Sequence, residues 1–193
     1  MRSGPADGRP GAIHDFDAVL EGARANRPEA WDRLYRWLAP GVAGYLRMLG
    51  AREVDDLTSE VFLAVFRRVG TFQGSETNFR SWVFTVAHSR LIDERRRRGR
   101  RPDADPLDFV DELPSTQNTE DVALRALDVA SIEAICGQLP VDQRSVVLLR
   151  IIADLSIEQV AQILDKSPGA IKQLQRRGFE SARKLLAREG VTL

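Results

Sequence analysis

The stretch NFRSWVFTVAHSRLIDERRRRGRR, from Asn78 to Arg101, decides the fold, because it joins an amphipathic helix to a dense basic end. We expect Asn78 to cap this helix by accepting a hydrogen bond from a free backbone N–H of the first turn. Apolar residues then recur at helical spacing and predict one buried face. The predicted buried face consists of Phe79, Trp82, Val83 and Val86.

A second face of the same helix carries small polar groups, which can hydrogen-bond the base edges of an unpaired strand while an adjacent ring stacks on a base. This face consists of Ser81, Thr85, His88, Ser89, Ile92 and Arg96. Eight arginines against Asp93 and Glu94 give the stretch a formal charge of 8 − 2 = +6, which favours a polyanion as partner. A solvated arginine tail behind a plain core helix has the same pattern, so this stretch alone leaves both interpretations open.

Charge is segregated along the 193 residues, although the formal net charge is zero. Residues 102–121 contain seven acidic residues and no basic one, for −7, whereas residues 166–188 contain seven basic residues against Glu180, for +6. A hydrophobic content of 43% is normal for folded protein and excludes disorder throughout. Two basic patches therefore flank an acidic segment.

Several classes of function are excluded by what the sequence lacks. Cys136 is the only cysteine and leaves no internal disulfide, and with His14 and His88 it offers too few ligands for a structural zinc site. No grouping of nucleophile, base and orienting residue is visible, and no glycine-rich phosphate loop. No signal peptide or membrane span is visible either. We expect a cytoplasmic protein that is not an enzyme, binds no metal or cofactor and does not insert into membranes.

Helical periodicity with proline-rich and glycine-rich interruptions predicts an all-α fold of two small helical domains joined by an acidic flexible linker. We expect a disordered tail at 1–14, a first domain at 15–100, the linker at 101–121 and a second domain at 122–193. Within the first domain, Pro40 and Gly41 predict a break or kink rather than one long helix.

The helix predicted within residues 52–72 carries acidic residues near its start. Asp55, Asp56 and Glu60 complement the helix dipole there, which is a structural role. They are equally suited to dock a basic partner surface, with Phe62 as a hydrophobic anchor beside them.

The second domain ends in the pattern of a helix-turn-helix, a motif that places its second helix in the major groove of duplex DNA. Ser156 and Gln159 predict a capping box, Asp165 a tight turn, and Ser167 with Pro168 the start of the last helix. The inner face of that helix consists of Ile171, Leu174, Gly178, Ala182 and Leu185. Its outer face presents Lys172, Gln173, Arg176 and Arg177, side chains that pair with base edges and phosphates. An ordinary helical hairpin with a solvated basic face is the other interpretation.

Together these segments resemble the sigma-70 family of bacterial transcription initiation factors, in its small two-domain extracytoplasmic-function (ECF) group. The resemblance covers nearly all of residues 16–187. Its most specific parts are DDLTSEVFLAVFRR (55–68), FRSWVFTVAHSRLIDERRRR (79–98) and LPVDQRSVVLLRIIADLSIEQVAQILDKSPGAIK (139–172).

The resemblance implies partners and roles that the residues alone leave open. The acidic helix would dock on the β′ coiled coil of core RNA polymerase, the next helix would hold the melted minus-ten strand, and the helix-turn-helix would read the minus-thirty-five duplex while resting on the β flap. The implied polymerase-binding residues are Asp55, Asp56, Leu57, Glu60, Val61 and Phe62. The implied minus-ten residues are Phe72, Phe79, Arg80, Trp82, Thr85, His88, Ser89, Arg95 and Arg96. The implied minus-thirty-five residues are Ser167, Lys172, Gln173, Arg176 and Arg177.

Three positions depart from the family pattern. Ser89 stands where many members have asparagine, Leu174 where a basic residue is frequent, and Gly178 where alanine is usual. We infer that Gly178 permits close packing, because a mid-helix glycine costs about 1 kcal/mol relative to alanine. Many members are also held inactive by an anti-sigma protein, which is a further possible partner. The alternative function is a polymerase-independent helix-turn-helix regulator, which gives the acidic and aromatic helices no role.

Overall fold

The computed structural model describes residues 13–99 and 136–188, which form helices and no strand. The N-terminal unit contains α1 (Phe16–Arg24), α2 (Pro28–Met48), α3 (Val54–Arg68), a 3-10 turn (Val69–Thr71) and α4 (Glu76–Arg97). The C-terminal unit contains α5 (Val141–Ile151), α6 (Ile157–Leu164) and α7 (Pro168–Arg188). The all-α prediction is confirmed. Residues 1–12 of the predicted tail, the predicted linker at 101–121 and the start of the predicted second domain, residues 122–135, lie outside the described residues.

The core of the N-terminal unit forms where α2 packs against α1, α3 and α4. Its largest fully buried side chains are Leu34, Leu38, Tyr45, Leu46, Phe79, Phe84 and Leu91. Burying an aliphatic or aromatic side chain of this size contributes about 1.5 to 3 kcal/mol. The core therefore fixes the orientation of α3 and α4, which carry the predicted binding residues.

Helix α2 continues through Pro40, so of the predicted break or kink the break is wrong, while a kink at Pro40 stays a prediction. A proline inside a helix removes one backbone hydrogen bond and costs about 3 kcal/mol. Leu38 and Val42, on either side of Pro40, are fully buried. Burial of both neighbours outweighs the proline penalty, because tertiary packing overrides local propensity.

The C-terminal unit packs around α5, whose residues 145–149 are all buried. Helix α7 lies against it with Ile171, Leu174, Phe179 and Ala182 almost completely buried. Gly178 lies at the closest approach, where an added Cβ would be 2.7 Å from Val147 Cγ2. The inference that Gly178 permits close packing is confirmed.

Candidate nucleic-acid interface and partner surface

The loop before α4 is fixed by a reciprocal capping box. The Asn78 backbone N–H donates to Ser75 Oγ at 3.4 Å, and the Ser75 N–H donates to Asn78 Oδ1 at 3.1 Å. Ser75 is thus the capping residue and Asn78 its partner three positions on, so the expected cap at Asn78 itself is wrong. Gly74 precedes the cap with φ 146°, a conformation that favours glycine. The start of α4 is therefore held from both sides.

Three aromatic rings meet at this end of α4. Phe72 and Trp82 stack with their ring centroids 5.2 Å apart and an interplanar angle of 16°. Phe79 meets Phe72 edge-on at 5.1 Å. Phe79 is fully buried, whereas Phe72 and Trp82 are only partly buried. Of these three rings, only Phe72 and Trp82 therefore offer surface to a ligand. Phe79 packs edge-on against both of them from the core.

A polar stripe continues from Trp82 along α4. Thr85, Ser89 and Arg96 follow Trp82 at helical spacing and are exposed, so these four residues share one face of the helix. Ser81, which the sequence placed on the same side, is buried. The exposed stripe is thus narrower than predicted but contains an aromatic ring, hydroxyls and a guanidinium.

His88 is directed toward the core and not toward solvent. Its Nδ1 is 2.8 Å from the hydroxyl oxygen of Tyr45, which is completely buried. The pKa of His88 is lowered to about 4, mainly by burial and also by the nearby charge of Arg95, against a smaller opposing effect of Asp142. His88 is therefore neutral near pH 7 and packs against the helix bundle.

The arginines of α4 have different environments. Arg80 is buried, and its Nη2 donates to Glu76 Oε1 at 2.8 Å. Its Nη1 lies 3.5 Å from Asp154 Oδ2, and its Cζ lies 5.5 Å from the centre of the Trp37 ring. Arg95 donates to the backbone carbonyl of Leu49, at the end of α2. Both of these predicted minus-ten residues thus make internal contacts.

Arg96 is the most accessible of the predicted minus-ten arginines, since 72% of its side chain is exposed. Its Nη1 lies 3.9 Å from Asp93, a loose surface pair that solvent screens. Arg96 is consequently available to a phosphate group, whereas Arg80 is enclosed by protein.

The two units contact one another at the start of α4 and at the end of α2. Gln159 Nε2, at the start of α6, donates to the Thr77 carbonyl at 3.2 Å, beside the Arg80–Asp154 ion pair. Arg144 Nη1 of α5 donates to the Met48 carbonyl at 3.3 Å. The helix-turn-helix therefore lies against the first turns of α4 in this structure.

The helix-turn-helix has the caps that its sequence predicts. Ser156 Oγ accepts from the Gln159 N–H at 3.2 Å and Gln159 Oε1 accepts from the Ser156 N–H at 2.9 Å, so the capping box is confirmed. Asp165 turns with φ 52°, and Ser167 Oγ accepts from the Ala170 N–H at 3.2 Å to start α7.

The outward side of α7 carries the predicted basic residues. Lys172 and Arg176 are exposed, and Gln173 and Arg177 are partly buried. Leu174, which replaces a basic residue of the family pattern, is 4% exposed and packs inward. The presence of leucine in place of a basic residue at position 174 therefore removes no charge from the outer face of α7.

The predicted polymerase-binding residues of α3 divide by burial. Asp55 and Asp56 are exposed in the first turn, and Glu60 is partly exposed. Leu57, Val61 and Phe62 belong to the core and are at most 8% exposed, so they support the surface without forming it.

Helices α2 and α3 also carry exposed apolar residues that the sequence pattern did not reveal. Tyr35, Leu63 and Phe66 are each between 45% and 55% exposed. The ring centroids of Tyr35 and Phe62 are 4.7 Å apart, and those of Phe66 and Trp31 are 4.8 Å apart. Their helical spacing matches that of core residues, so periodicity alone could not separate them from the interior.

In residues 13–99 and 136–188, no three His, Cys, Asp or Glu side chains are grouped to hold a metal ion. No helix within these ranges combines the length and apolarity needed to cross a bilayer. Burial raises the pKa of the Cys136 thiol to about 12, which keeps it in the thiol form.

Comparison with known families gives two matches in chain order. Residues 24–101 match the model of Sigma-70 region 2, and residues 130–181 match that of Sigma-70 region 4. Together the two matches contain α2 to α6 and α7 as far as residue 181. They define a two-region protein of the sigma-70 type.

Individual relatives narrow this class. The chain is 31% identical over 183 residues to the ECF RNA polymerase sigma factor BldN of Streptomyces coelicolor, covering 92% of this chain and 69% of BldN. It is 33% identical to the ECF RNA polymerase sigma factor SigE of Mycolicibacterium smegmatis, covering 90% of this chain and 66% of SigE. The chain belongs to the sigma-70 family of transcription initiation factors, in the ECF group.

Solved structures share the fold. CnrH, in complex with the cytosolic domain of CnrY, superimposes with a TM-score of 0.60 at 20% identity and covers 89% of this chain and 96% of its own. The sigma factor RpoE of Bartonella quintana, in complex with the anti-sigma factor NepR, gives 0.60 at 21% identity and covers 82% and 98%. The arrangement of helices is therefore shared at low sequence identity.

Proposed function

We propose that this chain is a dissociable promoter-recognition subunit of bacterial RNA polymerase, acting in the cytoplasm without catalytic activity of its own. The N-terminal unit binds the β′ coiled coil of the core enzyme and the melted minus-ten strand. The C-terminal unit rests on the β flap and reads the minus-thirty-five duplex. Family membership supports this division of roles, because each unit matches a different sigma-70 region.

The observation that carries the proposal is the exposed stripe on α4. The stacked Phe72 and Trp82 rings give a partly exposed aromatic surface, and Thr85, Ser89 and Arg96 continue from it. An unpaired base can stack on an aromatic ring, its edge can hydrogen-bond to a hydroxyl, and the adjoining phosphate can pair with a guanidinium. A single-stranded segment running along α4 satisfies all three groups at once.

The outer face of α7 suits the duplex element. Lys172, Gln173, Arg176 and Arg177 occur on a capped helix of a helix-turn-helix, the arrangement that enters a major groove. Arginine and lysine pair with guanine acceptors, and glutamine pairs with adenine. The exposed Asp55 and Asp56 on α3 are suited to a basic surface of the polymerase.

An anti-sigma protein is a further proposed partner. The fold matches in CnrH and RpoE both come from complexes, and the RpoE complex contains an anti-sigma factor. The exposed apolar residues Tyr35, Leu63 and Phe66 on α2 and α3 give such a protein a surface to cover.

Run-off transcription tests the proposal. Purified bacterial core polymerase is incubated with a pool of genomic promoter fragments, with and without the protein, and the transcripts are sequenced. Discrete transcripts that require both components support the proposal. Specific shifts of duplex DNA by the protein alone, without such transcripts, would favour the polymerase-independent regulator, which leaves the surfaces of α3 and α4 without a role.

A further inference from the structure

Arg24, the last residue of α1, is bonded to the residue that supplies the aromatic ring of the loop before α4. Its Nη2 donates to the backbone carbonyl of Phe72, which lies 48 positions further along the chain. Its Nη1 pairs with Glu21, one turn earlier in α1. The Arg24 side chain is 28% exposed, so the protein shields these bonds from much of the solvent. The guanidinium therefore ties α1 to the loop.

The loop itself lies outside the regular helices and depends on individual bonds. Residues 72–74 connect the end of the 3-10 turn to Ser75, the capping residue of α4. Gly74, within this connection, adopts a φ of 146°. A segment that contains glycine loses much conformational freedom when it is ordered. Each hydrogen bond to residues 72–74 therefore has a large influence on their order.

Both backbone polar groups of Phe72 are hydrogen-bonded. Its N–H donates to the Val69 carbonyl at 3.1 Å, a local bond within the 3-10 turn. Its carbonyl accepts from Arg24, a bond across the fold. Because peptide groups are planar, holding the one before and the one after Phe72 fixes its φ and ψ, which are −69° and 134°. The direction of the Phe72 side chain is thereby fixed as well.

The Phe72 ring held in this way is the one that stacks on Trp82, with an interplanar angle of 16°. The loop also passes close to the ring, since a Cβ at position 74 would lie 3.3 Å from Phe72 Cζ. The ring is nevertheless only partly buried. A rotation of the Phe72 backbone would consequently separate two stacked rings that both keep surface for a ligand.

Helix α1 gives Arg24 a fixed base. Its residues Phe16, Val19, Leu20 and Ala23 are buried. The Phe16 ring lies 5.6 Å, between centroids, from the ring of Phe79 on α4, and α1 also packs against the 3-10 turn. The donor to the loop and the helix that carries Trp82 therefore belong to the same core.

A ring that is held in place before the ligand arrives lowers the cost of binding. A base that stacks on a mobile loop must also order that loop, which reduces its affinity. Without the Arg24 bond, the peptide group after Phe72 is free to rotate, and only a fraction of the molecules present the ring against Trp82. The apparent affinity falls in proportion to that fraction. The loss concerns the base that stacks on Phe72, because Arg24 acts through that residue.

We propose that Arg24 is a positioning residue for the minus-ten strand, which holds Phe72 against Trp82 as a preformed surface for one unpaired base. This inference rests on the proposed function, since it assigns a residue of α1 to the recognition of that strand. Arg24 supplies order to the loop and makes no contact with the DNA.

The first test follows the loop in the free, full-length, isotope-labelled protein by backbone amide relaxation. Arg24→Met retains the apolar stem of the side chain and removes its donors. Arg27→Met is the matched control, because Arg27 is exposed and its side chain does not cap α2. The order parameters of Gln73 and Gly74 should fall in Arg24→Met and stay unchanged in the control. Unchanged order parameters in Arg24→Met would overturn the proposal.

The second test measures binding of the holoenzyme to a promoter obtained from the run-off experiment, with its minus-ten strand unpaired. Each probe of a series carries an abasic site at a different position of that strand. On the intact strand, Arg24→Met should bind about tenfold more weakly, and Arg27→Met should bind like the wild type. On one abasic probe the wild type should weaken and Arg24→Met should lose nothing further, because both changes remove the same stacking contact.

A tenfold loss on every probe, the abasic ones included, would show a general effect of Arg24 on the fold and would overturn the proposal. Glu21→Ala removes the ion pair within α1 but leaves the donor to Phe72, so it should bind nearly like the wild type. Arg24→Lys keeps a cationic donor and should recover part of the affinity. A loss in Glu21→Ala as large as in Arg24→Met would assign the effect to the ion pair, and the proposal would be wrong.

The outcomes separate this inference from the proposed function. If the wild-type holoenzyme binds the promoter and Arg24→Met binds it equally well, the role of Arg24 is refuted and the proposed function stands. If core polymerase with the wild-type protein binds no promoter, the proposed function fails and the role of Arg24 fails with it.

Discussion

Gly178 of α7 faces Val147 of α5 so closely that a Cβ at position 178 would lie 2.7 Å from Val147 Cγ2. That distance is shorter than any normal contact between carbon atoms, and a backbone carbonyl, that of Gln143, lies 3.5 Å from the same point. The absence of a side chain at Gly178 therefore sets the separation of the two helices.

Gly178→Ala should destabilise the C-terminal unit by about 1 to 3 kcal/mol, because overpacking displaces α7 from α5. Urea unfolding measures this change. Gly44→Ala is the matched control, since a Cβ at Gly44, also inside a helix, meets no atom within 4 Å. That control should gain up to about 1 kcal/mol from helix propensity. Equal effects at the two positions would contradict the packing account.

His88 should make the stability of the N-terminal unit depend on pH. Its folded pKa of about 4 lies below the ordinary value of 6.5, so the unfolded chain binds the proton more readily. The contribution of neutral His88 is therefore fully present above pH 6.5 and is lost as the pH falls toward 4. The free energy of unfolding, measured by urea titration at a series of pH values, should decline more steeply in the wild type than in His88→Gln.

His14→Gln provides the control for that experiment, because His14 is exposed at the start of the described chain. It should retain the steep decline of the wild type. A decline of the same slope in His88→Gln would show that other groups carry the pH dependence.

Arg80 and Arg96 should respond differently to replacement, although both were predicted to contact the minus-ten strand. Arg80→Ala should destabilise the protein by about 3 kcal/mol, because it leaves Glu76 beside the core without its partner. Arg96→Ala should leave stability unchanged and weaken binding to single-stranded promoter DNA, with a smaller salt dependence. Thermal unfolding and fluorescence anisotropy distinguish the two effects, and loss of stability in Arg96→Ala would contradict the assignment.

Arg176→Ala should cost roughly 1 to 3 kcal/mol of binding free energy at the duplex element, and mainly at one base position. Holoenzyme binding to a set of single-base promoter variants measures this loss. Lys184→Ala is the control, since Lys184 lies two turns further along α7 and pairs with Glu180 at 2.8 Å. An equal loss on every sequence would identify Arg176 as a phosphate contact.

Asp56→Arg should weaken binding to core polymerase by about tenfold, because it places a positive charge against a basic partner surface. Circular dichroism should show an unchanged fold, since Asp56 is exposed. Asp17→Arg reverses a charge in the first turn of α1 and controls for the helix dipole. Unchanged affinity of the folded Asp56→Arg protein would remove the acidic turn from the docking surface.

Local signals in the sequence were sufficient where neighbours along the chain determine the structure. The capping box of Ser156 and Gln159 and the start of α7 at Ser167 were predicted correctly, because each involves residues within three positions of one another. At α4 the same reasoning placed the cap three residues late. Ser75 and Asn78 are both good capping residues, and the sequence does not show which of them ends the loop.

Contacts distant in sequence account for what could not be predicted. Arg80 has the spacing of a surface residue, yet it is buried against Asp154, 74 positions away. Tyr35 and Phe66 have the spacing of core residues, yet each is nearly half exposed. Pro40 predicted a break or a kink, and packing of α2 on three other helices overrides the break. Periodicity identifies a face, but only the packed partners decide whether that face is covered.

The bonds between the two units bear on how such chains can be recombined. Arg144 and Gln159 of the C-terminal unit donate to the carbonyls of Met48 and Thr77, and every amino acid supplies a backbone carbonyl. Mutational drift of the side chains on α2 and α4 therefore leaves these two bonds intact. A chimaera that joins this N-terminal unit to the C-terminal unit of a relative would preserve them wherever the incoming unit has its own arginine and glutamine at the equivalent places. Promoter specificity could thus be exchanged as a module without redesigning the surface against which the module rests.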